Sequence, residues 1–244
     1  MKVLCIIPAR YASTRLPGKP LRDIAGKPMI VRVYERALQA RLVQDVVVAT
    51  DDERIRAAVE AHGGHAVMTR ADHATGTDRL AEVAARMTDY DLIINVQGDE
   101  PLIEPSVIDA LVEPFLADET LTMATAKTEI TDEAEQENPN NVKVITDVNG
   151  NALYFSRARI PYARVPGAKV YKHIGIYAYR RDFLLAYARM AQTPLELSES
   201  LEQLRALENG YRIRVVETDA VFIGVDTEED LAAVNEAYRR HAAD

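Results

Sequence analysis

The segment from Pro8 to Pro20 reads Pro-Ala-Arg-Tyr-Ala-Ser-Thr-Arg-Leu-Pro-Gly-Lys-Pro. It brings Arg10, Arg15 and Lys19 into one stretch with the hydroxyls of Ser13 and Thr14 and a glycine. Three cations, two hydroxyls and backbone N–H groups suit the oxygens of a triphosphate. A solvated basic loop is the plainer alternative, since such loops are common on surfaces. Neither G-x-G-x-x-G nor G-x-x-x-x-G-K-[ST] occurs in the chain, which argues against a dinucleotide fold and a P-loop NTPase.

Two carboxylates stand out further along. Asn95-Val96-Gln97-Gly98-Asp99-Glu100-Pro101 follows an apolar run and delivers Asp99 just after a glycine. A hard cation such as Mg²⁺ takes one or two protein carboxylates together with phosphate oxygens, so Asp99 is a candidate anchor. A turn or cap role fits a strand-end Asp equally well. Gly224-Val225-Asp226-Thr227 supplies the second acid. Here Thr227 with Asp230 three residues on has the form of a capping box, which would account for the acids without any ligand. His62, His65 and His73 show no zinc-ligand spacing with a cysteine pair.

These residues need a scaffold, and the apolar pattern indicates one. Val3–Ile7, Val46–Thr50, Ala66–Met68 and Leu92–Val96 read as strands. Between them, Ile30, Val33, Tyr34, Ala37 and Leu38 fall on one helical face, with Pro28 in the first turn. Asp52–Ala61 reads as a second helix stopped by Gly63-Gly64, and Leu80, Val83, Ala84 and Met87 mark a third, with Thr75 or Thr77 as its N-cap. Strands alternating with helices predict parallel strands joined by crossovers, with ligands beyond their carboxyl ends. After Pro105 the pattern changes. Strands near 121–126, 142–146 and 152–155, separated by Asn138-Pro139-Asn140 and Asn149-Gly150, predict a mixed or antiparallel extension. Leu201, Leu204 and Leu207 mark a helix closed by Asn209-Gly210, followed by a strand at 213–216 and a last helix after Thr227. The expected fold is therefore α/β and Rossmann-like: a mostly parallel sheet flanked by helices, in a single domain over 1–244 with a smaller mixed or antiparallel lobe inserted at about 127–180.

Composition narrows the class. The chain has 244 residues, of which 48% are hydrophobic and 27% charged, and no low-complexity tract, so it reads as globular. Its one cysteine, Cys5, lies in an apolar run and reads as a core side chain, leaving no intrachain disulfide. That run is too short for a signal-peptide core or a membrane span, and a cytoplasmic location is expected. The net charge of −9 opposes a nucleic-acid partner, yet Arg10, Arg15, Lys19, Arg22, Lys27, Arg32 and Arg36 crowd the first 36 residues. Focused positive charge in an acidic chain suits a small polyanion.

The run from Ile7 to Leu21 resembles, residue for residue, the signature of the cytidylyltransferases that activate acidic sugars with CTP, and within them the 3-deoxy-manno-octulosonate (KDO) group of lipopolysaccharide assembly. Gln97-Gly98-Asp99-Glu100-Pro101 is similar to the metal-binding motif of that family, and Gly224-Val225-Asp226-Thr227 to its second carboxylate motif. Tyr154–Arg157, His173–Tyr177 and Leu201–Arg205 resemble its sugar-acid segments. The resemblance implies catalytic roles for Arg10, Lys19 and Asp99, and Mg²⁺ on Asp99 and Asp226. It implies nucleotide contacts from Ala9, Arg10, Ser13, Thr14, Arg15, Lys19, Gly76 and Thr77. Sugar-acid contacts would come from Gln97, Arg157, His173, Tyr177, Glu202 and Gln203. The partners implied are CTP and KDO, with a homodimer as the assembly. Another sugar acid, such as an amino-sugar variant of KDO or a sialic acid, and a nucleotide-sugar glycosyltransferase are the alternatives. One departure stands out: some family members carry a histidine before the Leu-Glu-Gln-Leu-Arg segment, where this chain reads Pro194-Leu195-Glu196-Leu197-Ser198.

Overall fold

The structure, a computed structural model, describes residues 1–12, 16–220 and 222–241. In chain order its elements begin with β1 (Val3–Ala9), β2 (Asp23–Ile24), β3 (Lys27–Pro28), α1 (Met29–Ala37), β4 (Asp45–Thr50) and α2 (Glu53–Ala61). They continue with β5 (Ala66–Met68), α3 (Gly76–Arg86), β6 (Leu92–Asn95), α4 (Pro105–Ala117), β7 (Met123–Ile130), α5 (Glu133–Glu137), β8 (Lys143–Thr146) and β9 (Ala152–Ser156). The last are β10 (Val170–Arg180), α6 (Arg181–Tyr187), α7 (Pro194–Glu199), α8 (Leu204–Glu208), β11 (Ile213–Glu217) and α9 (Glu228–His241). The chain divides into two compact units, Met1–Asp109 with Val221–Asp244, and Ala110–Ala220.

In the first unit the strands run in the order β6-β1-β4-β5, all parallel. The chain winds outward from β1 to β4 and β5, then returns to place β6 on the other side of β1. That reversal makes the gap between β1 and β6 a topological switch point, where loops after adjacent strands diverge and leave a crevice. Val3–Ile7 are wholly buried, Cys5 included, and burial pushes its thiol pKa up. The second unit is mixed: β7 pairs parallel with β11 and antiparallel with β10, and β8 lies antiparallel to β9 and to β10. The α/β expectation with a mostly parallel sheet and an antiparallel extension holds.

Several details differ from the sequence pattern. Pro28 lies before the helix, as the N-cap of α1, because β3 pairs back on β2 before the helix begins. Leu38 caps the other end of α1 and is 53% exposed, since the helix stops before its stripe is complete. Leu201 falls outside α8, which starts at Leu204. Helix α4 and β10 lay outside the sequence reading; Val107, Ile108, Leu111, Val112 and Phe115 of α4 are all buried. Among the described residues, no helix is long and apolar enough to cross a membrane.

Candidate active site

Three side chains from distant parts of the sequence meet beyond the carboxyl ends of β1 and β6. Lys19 Nζ donates to Asp99 Oδ2 at 2.6 Å and to Asp226 Oδ1 at 2.8 Å. Each arrives by a different route. Gly18 turns the chain with φ +64°, in the left-handed region, and starts a short 3₁₀ turn at Lys19–Leu21. Asp99 follows Gly98, where a Cβ would lie only 2.8 Å from the Pro8 carbonyl oxygen, so a side chain there would push the β6 turn off the end of β1. Asp226 is brought in by the Val225 N–H, which donates to the Asp99 carbonyl at 2.9 Å. A cluster of Leu16, Ile24, Met29, Val225, Leu231 and Val234 packs the segments of Lys19 and Asp226 together, and Leu102 from the Asp99 segment packs against it.

The capping box is present as well, but it leaves Asp226 out of the cap. Thr227 Oγ1 accepts from the Asp230 N–H at 3.2 Å, and Asp230 Oδ2 accepts from the N–H groups of Thr227 and Asp226 at 2.9 and 3.0 Å. Thr227 and Asp230 thus cap α9, and the Asp226 carboxylate is directed at Lys19.

Burial alone would lower the Lys19 pKa, but the charges and hydrogen bonds of Asp99 and Asp226 outweigh it and raise the pKa above its ordinary value. Ala9, Arg10, Lys19, Gln97, Gly98, Asp99 and Asp226 line a cavity of about 400 Å³. Arg10 Nη2 donates to the carbonyls of His73 at 2.6 Å and Thr75 at 3.3 Å. Thr75, not Thr77, caps α3, in a reciprocal pair with Asp78. A Cβ on Gly76 would lie 3.9 Å from the Pro8 ring, an ordinary contact, and Thr77 is buried in the first turn of the helix. Ser13, Thr14 and Arg15 lie outside the described residues. A larger cavity of about 670 Å³, beside Arg36, Leu102 and Tyr238, has no paired carboxylates.

The remaining residues of interest group within the second unit. His173 is buried, with its ring edge-on to Phe155 and Nε2 2.9 Å from Thr125 Oγ1. The Thr125 hydroxyl has one proton and lies 2.8 Å from the Ile176 carbonyl. His173 Nε2 is therefore the donor to Thr125 Oγ1. Burial lowers the His173 pKa to about 3, so the ring is neutral. Tyr177 lies 5.5 Å from it, past a register shift in β10, and burial together with the charge of Glu202 holds its phenol protonated. Gln203 is buried.

Arg157, for which the resemblance implies a sugar-acid contact, donates its guanidinium to the carbonyls of Glu199 (2.7 Å), Pro139 (3.1 Å) and Ser200 (3.4 Å). Glu199, which sequence reasoning passed over, accepts from Ser156 Oγ and from the Arg157 N–H. Arg205 lies 3.9 Å from Glu202, but its main partner is the buried Glu196. The departing stretch Pro194–Ser198 therefore carries a structural ion pair. Its one sequence signal is the capping-box spacing of Thr193 and Glu196, in which the Thr193 N–H donates to the Glu196 carboxylate at 3.1 Å.

The family profile described as "Cytidylyltransferase" matches residues 4–213. The chain belongs to the cytidylyltransferase family. This cytidylyltransferase is 58% identical to the 3-deoxy-manno-octulosonate cytidylyltransferase of Geobacter metallireducens, over 98% of this chain and 99% of the relative. It is 56% identical to the protein of the same name from Fusobacterium nucleatum, over 96% of each. A solved structure described as CMP:2-keto-3-deoxy-manno-octonic acid synthetase complexed with CTP superposes with a TM-score of 0.95 at 48% identity, covering 99% of this chain and 100% of the other. The 4-diphosphocytidyl-2C-methyl-D-erythritol synthase of Anaerococcus prevotii shares the fold, at 13% identity and a TM-score of 0.65 over 98% and 96%. By its relatives, the cytidylyltransferase falls in the KDO group of the family.

Proposed function

We propose that this chain transfers the cytidylyl group of CTP to the anomeric hydroxyl of KDO, releasing pyrophosphate and supplying an activated sugar for lipopolysaccharide assembly. The observation that carries the reading is the meeting of Lys19, Asp99 and Asp226 at the switch point between β1 and β6. The names of relatives at 53% to 58% identity support the choice of CTP and KDO.

Asp99 and Asp226 are the residues that would hold Mg²⁺. Their fit is supported by their convergence on a single cationic atom, Lys19 Nζ, and by the preference of Mg²⁺ for one or two carboxylates plus phosphate oxygens. Among the described residues no cluster of three or more His, Cys, Asp or Glu stands together, so further ligands would come from the nucleotide and water. Held there, Mg²⁺ would supply charge neutralisation and Lewis-acid polarisation for the transfer.

Arg10 and Lys19 orient the triphosphate and take up the charge that grows on departing pyrophosphate, the main protein contribution to phosphoryl-type transfer. Arg15, Ser13 and Thr14 belong to the same reading, with Ala9, Gly76 and Thr77 contacting the nucleoside. Gln97, Arg157, His173, Tyr177, Glu202 and Gln203 are assigned to the sugar acid. There, a neutral His173 and a protonated Tyr177 act as hydrogen-bonding groups rather than as acids or bases. A homodimer in the cytoplasm completes the proposal.

The test is incubation of the purified chain with CTP, KDO and Mg²⁺ while pyrophosphate is followed. Release only when all three are present, with formation of the CMP-sugar, is the expected result. Release of nucleoside diphosphate instead indicates a glycosyltransferase, and faster turnover of a sialic acid or an amino-sugar variant reassigns the substrate. Light scattering of the same sample reads the oligomeric state.

A further inference from the structure

The guanidinium of Arg10 is aimed by two backbone carbonyls, those of His73 and Thr75. Both belong to the irregular stretch between β5 and α3, which no strand ladder holds in place. Such a connection keeps one shape only where side chains tie it down.

At its start the Thr69 N–H donates to the Thr50 carbonyl at 2.9 Å, and the ties through Arg70 and His73 run to one carboxylate. Glu82, in the second turn of α3, accepts at Oε2 from the Arg70 N–H at 3.0 Å and contacts His73 Nε2 through the same oxygen. Its other oxygen accepts from Arg86, which also donates to the Met68 carbonyl at the end of β5 at 2.7 Å. The side chains of His73 and Glu82 are only 11% and 12% exposed. The far end of the stretch is closed by Thr75 and Asp78. Glu82 itself does not line the cavity.

We infer that Glu82 is a positioning residue for the transfer reaction: by gripping His73 it holds the two carbonyls that set the Arg10 guanidinium. This rests on the proposed assignment of Arg10 to the triphosphate. Positioning of this kind matters because a displacement of about 1 Å in a charged group can cost on the order of a hundredfold in rate.

The experiment is steady-state kinetics by pyrophosphate release, varying CTP and KDO separately, with melting curves as a check on folding. Glu82→Ala should raise KM for CTP on the order of tenfold, as expected for losing hydrogen bonds to a charged group, and leave KM for KDO unchanged. His73→Ala keeps the carbonyl but loses the grip, and should show the same selective loss; it decides the matter if Glu82→Ala folds poorly. Glu82→Gln, which can keep one oxygen for both Arg70 and His73 and give up only the contact with the exposed Arg86, should retain most of the CTP affinity. In an Arg10→Ala background, Glu82→Ala should add less than about twofold, because the two act through one group. Multiplicative losses in that double variant, equal losses for both substrates, or wild-type CTP use by both Glu82→Ala and His73→Ala overturn the inference. If Arg10→Ala alone leaves CTP use intact, the assignment of Arg10 to the triphosphate fails first and takes this inference with it.

Discussion

Gly98 packs against the end of β1 so closely that a Cβ on it would lie 2.8 Å from the carbonyl oxygen of Pro8. The obstacle is backbone, not a side chain that could rotate away. Gly98→Ala should therefore cost about 1–3 kcal/mol of stability, the usual penalty of overpacking. Since Asp99 is the next residue, turnover should fall at least about tenfold. Unchanged melting and unchanged kcat together would show that the turn has room to spare.

Asp99 and Asp226 make the demanding claim of two carboxylates at one ion. Asp99→Asn and Asp226→Asn keep the shape but remove charge, and each should lower turnover by about a hundredfold and raise the Mg²⁺ concentration needed for half-maximal rate. Titration of Mg²⁺ against rate, with calorimetric binding as an independent readout, checks both. Normal turnover of Asp226→Asn at limiting Mg²⁺ would leave Asp226 with only its backbone role ahead of α9.

Lys19 bridges both carboxylates with its pKa raised, so it stays charged throughout the neutral range. Lys19→Ala should raise KM for CTP by about tenfold or more while KM for KDO stays within about twofold. Equal losses would point to a folding defect.

Arg157 donates to three carbonyls from the segments around Pro139 and Ser200. Arg157→Ala should lower stability by about 1–3 kcal/mol, because those acceptors lose a charged partner. The sugar-acid reading adds that KM for KDO rises and KM for CTP does not. A stability loss with both KM values unchanged would make Arg157 a purely structural clamp.

His173 supplies the pH test. Burial lowers its pKa from 6.5 to about 3, so the unfolded chain takes up the proton first. The group's contribution to stability is complete above pH 6.5 and is lost as pH falls from there towards 3. Urea midpoints measured from pH 7 to pH 4 should fall, and His173→Gln should flatten that slope. A slope unchanged in the variant would assign the acid loss to carboxylates instead.

Much of this was legible in the sequence because it is local. A buried strand such as Val3–Ile7, the stripe of Leu80, Val83 and Ala84, and the cap at Thr75 are set by neighbours a few residues away. The resemblance carried the loop at Arg10 and the motif at Asp99 in the same way, as contiguous strings. Helix α4 was missed although Val107, Ile108, Leu111, Val112 and Phe115 fall on one face, because Pro114 inside it has the form of a helix breaker, and β10 because Gly175 interrupts its pattern at a register shift.

Residue types and their order were thus enough for an α/β chain with a candidate anion-binding segment and two candidate acids. The partner of each charge was not readable, because that choice depends on distances between residues far apart in the chain. Only the tertiary structure directs Asp226 to Lys19 while Thr227 and Asp230 cap the helix, across a separation of 207 residues. It likewise gives Arg205 to Glu196 and the Arg157 fork to backbone carbonyls. A charge leaving water needs a partner at hydrogen-bond distance, and which partner is near enough is decided by packing of the whole chain.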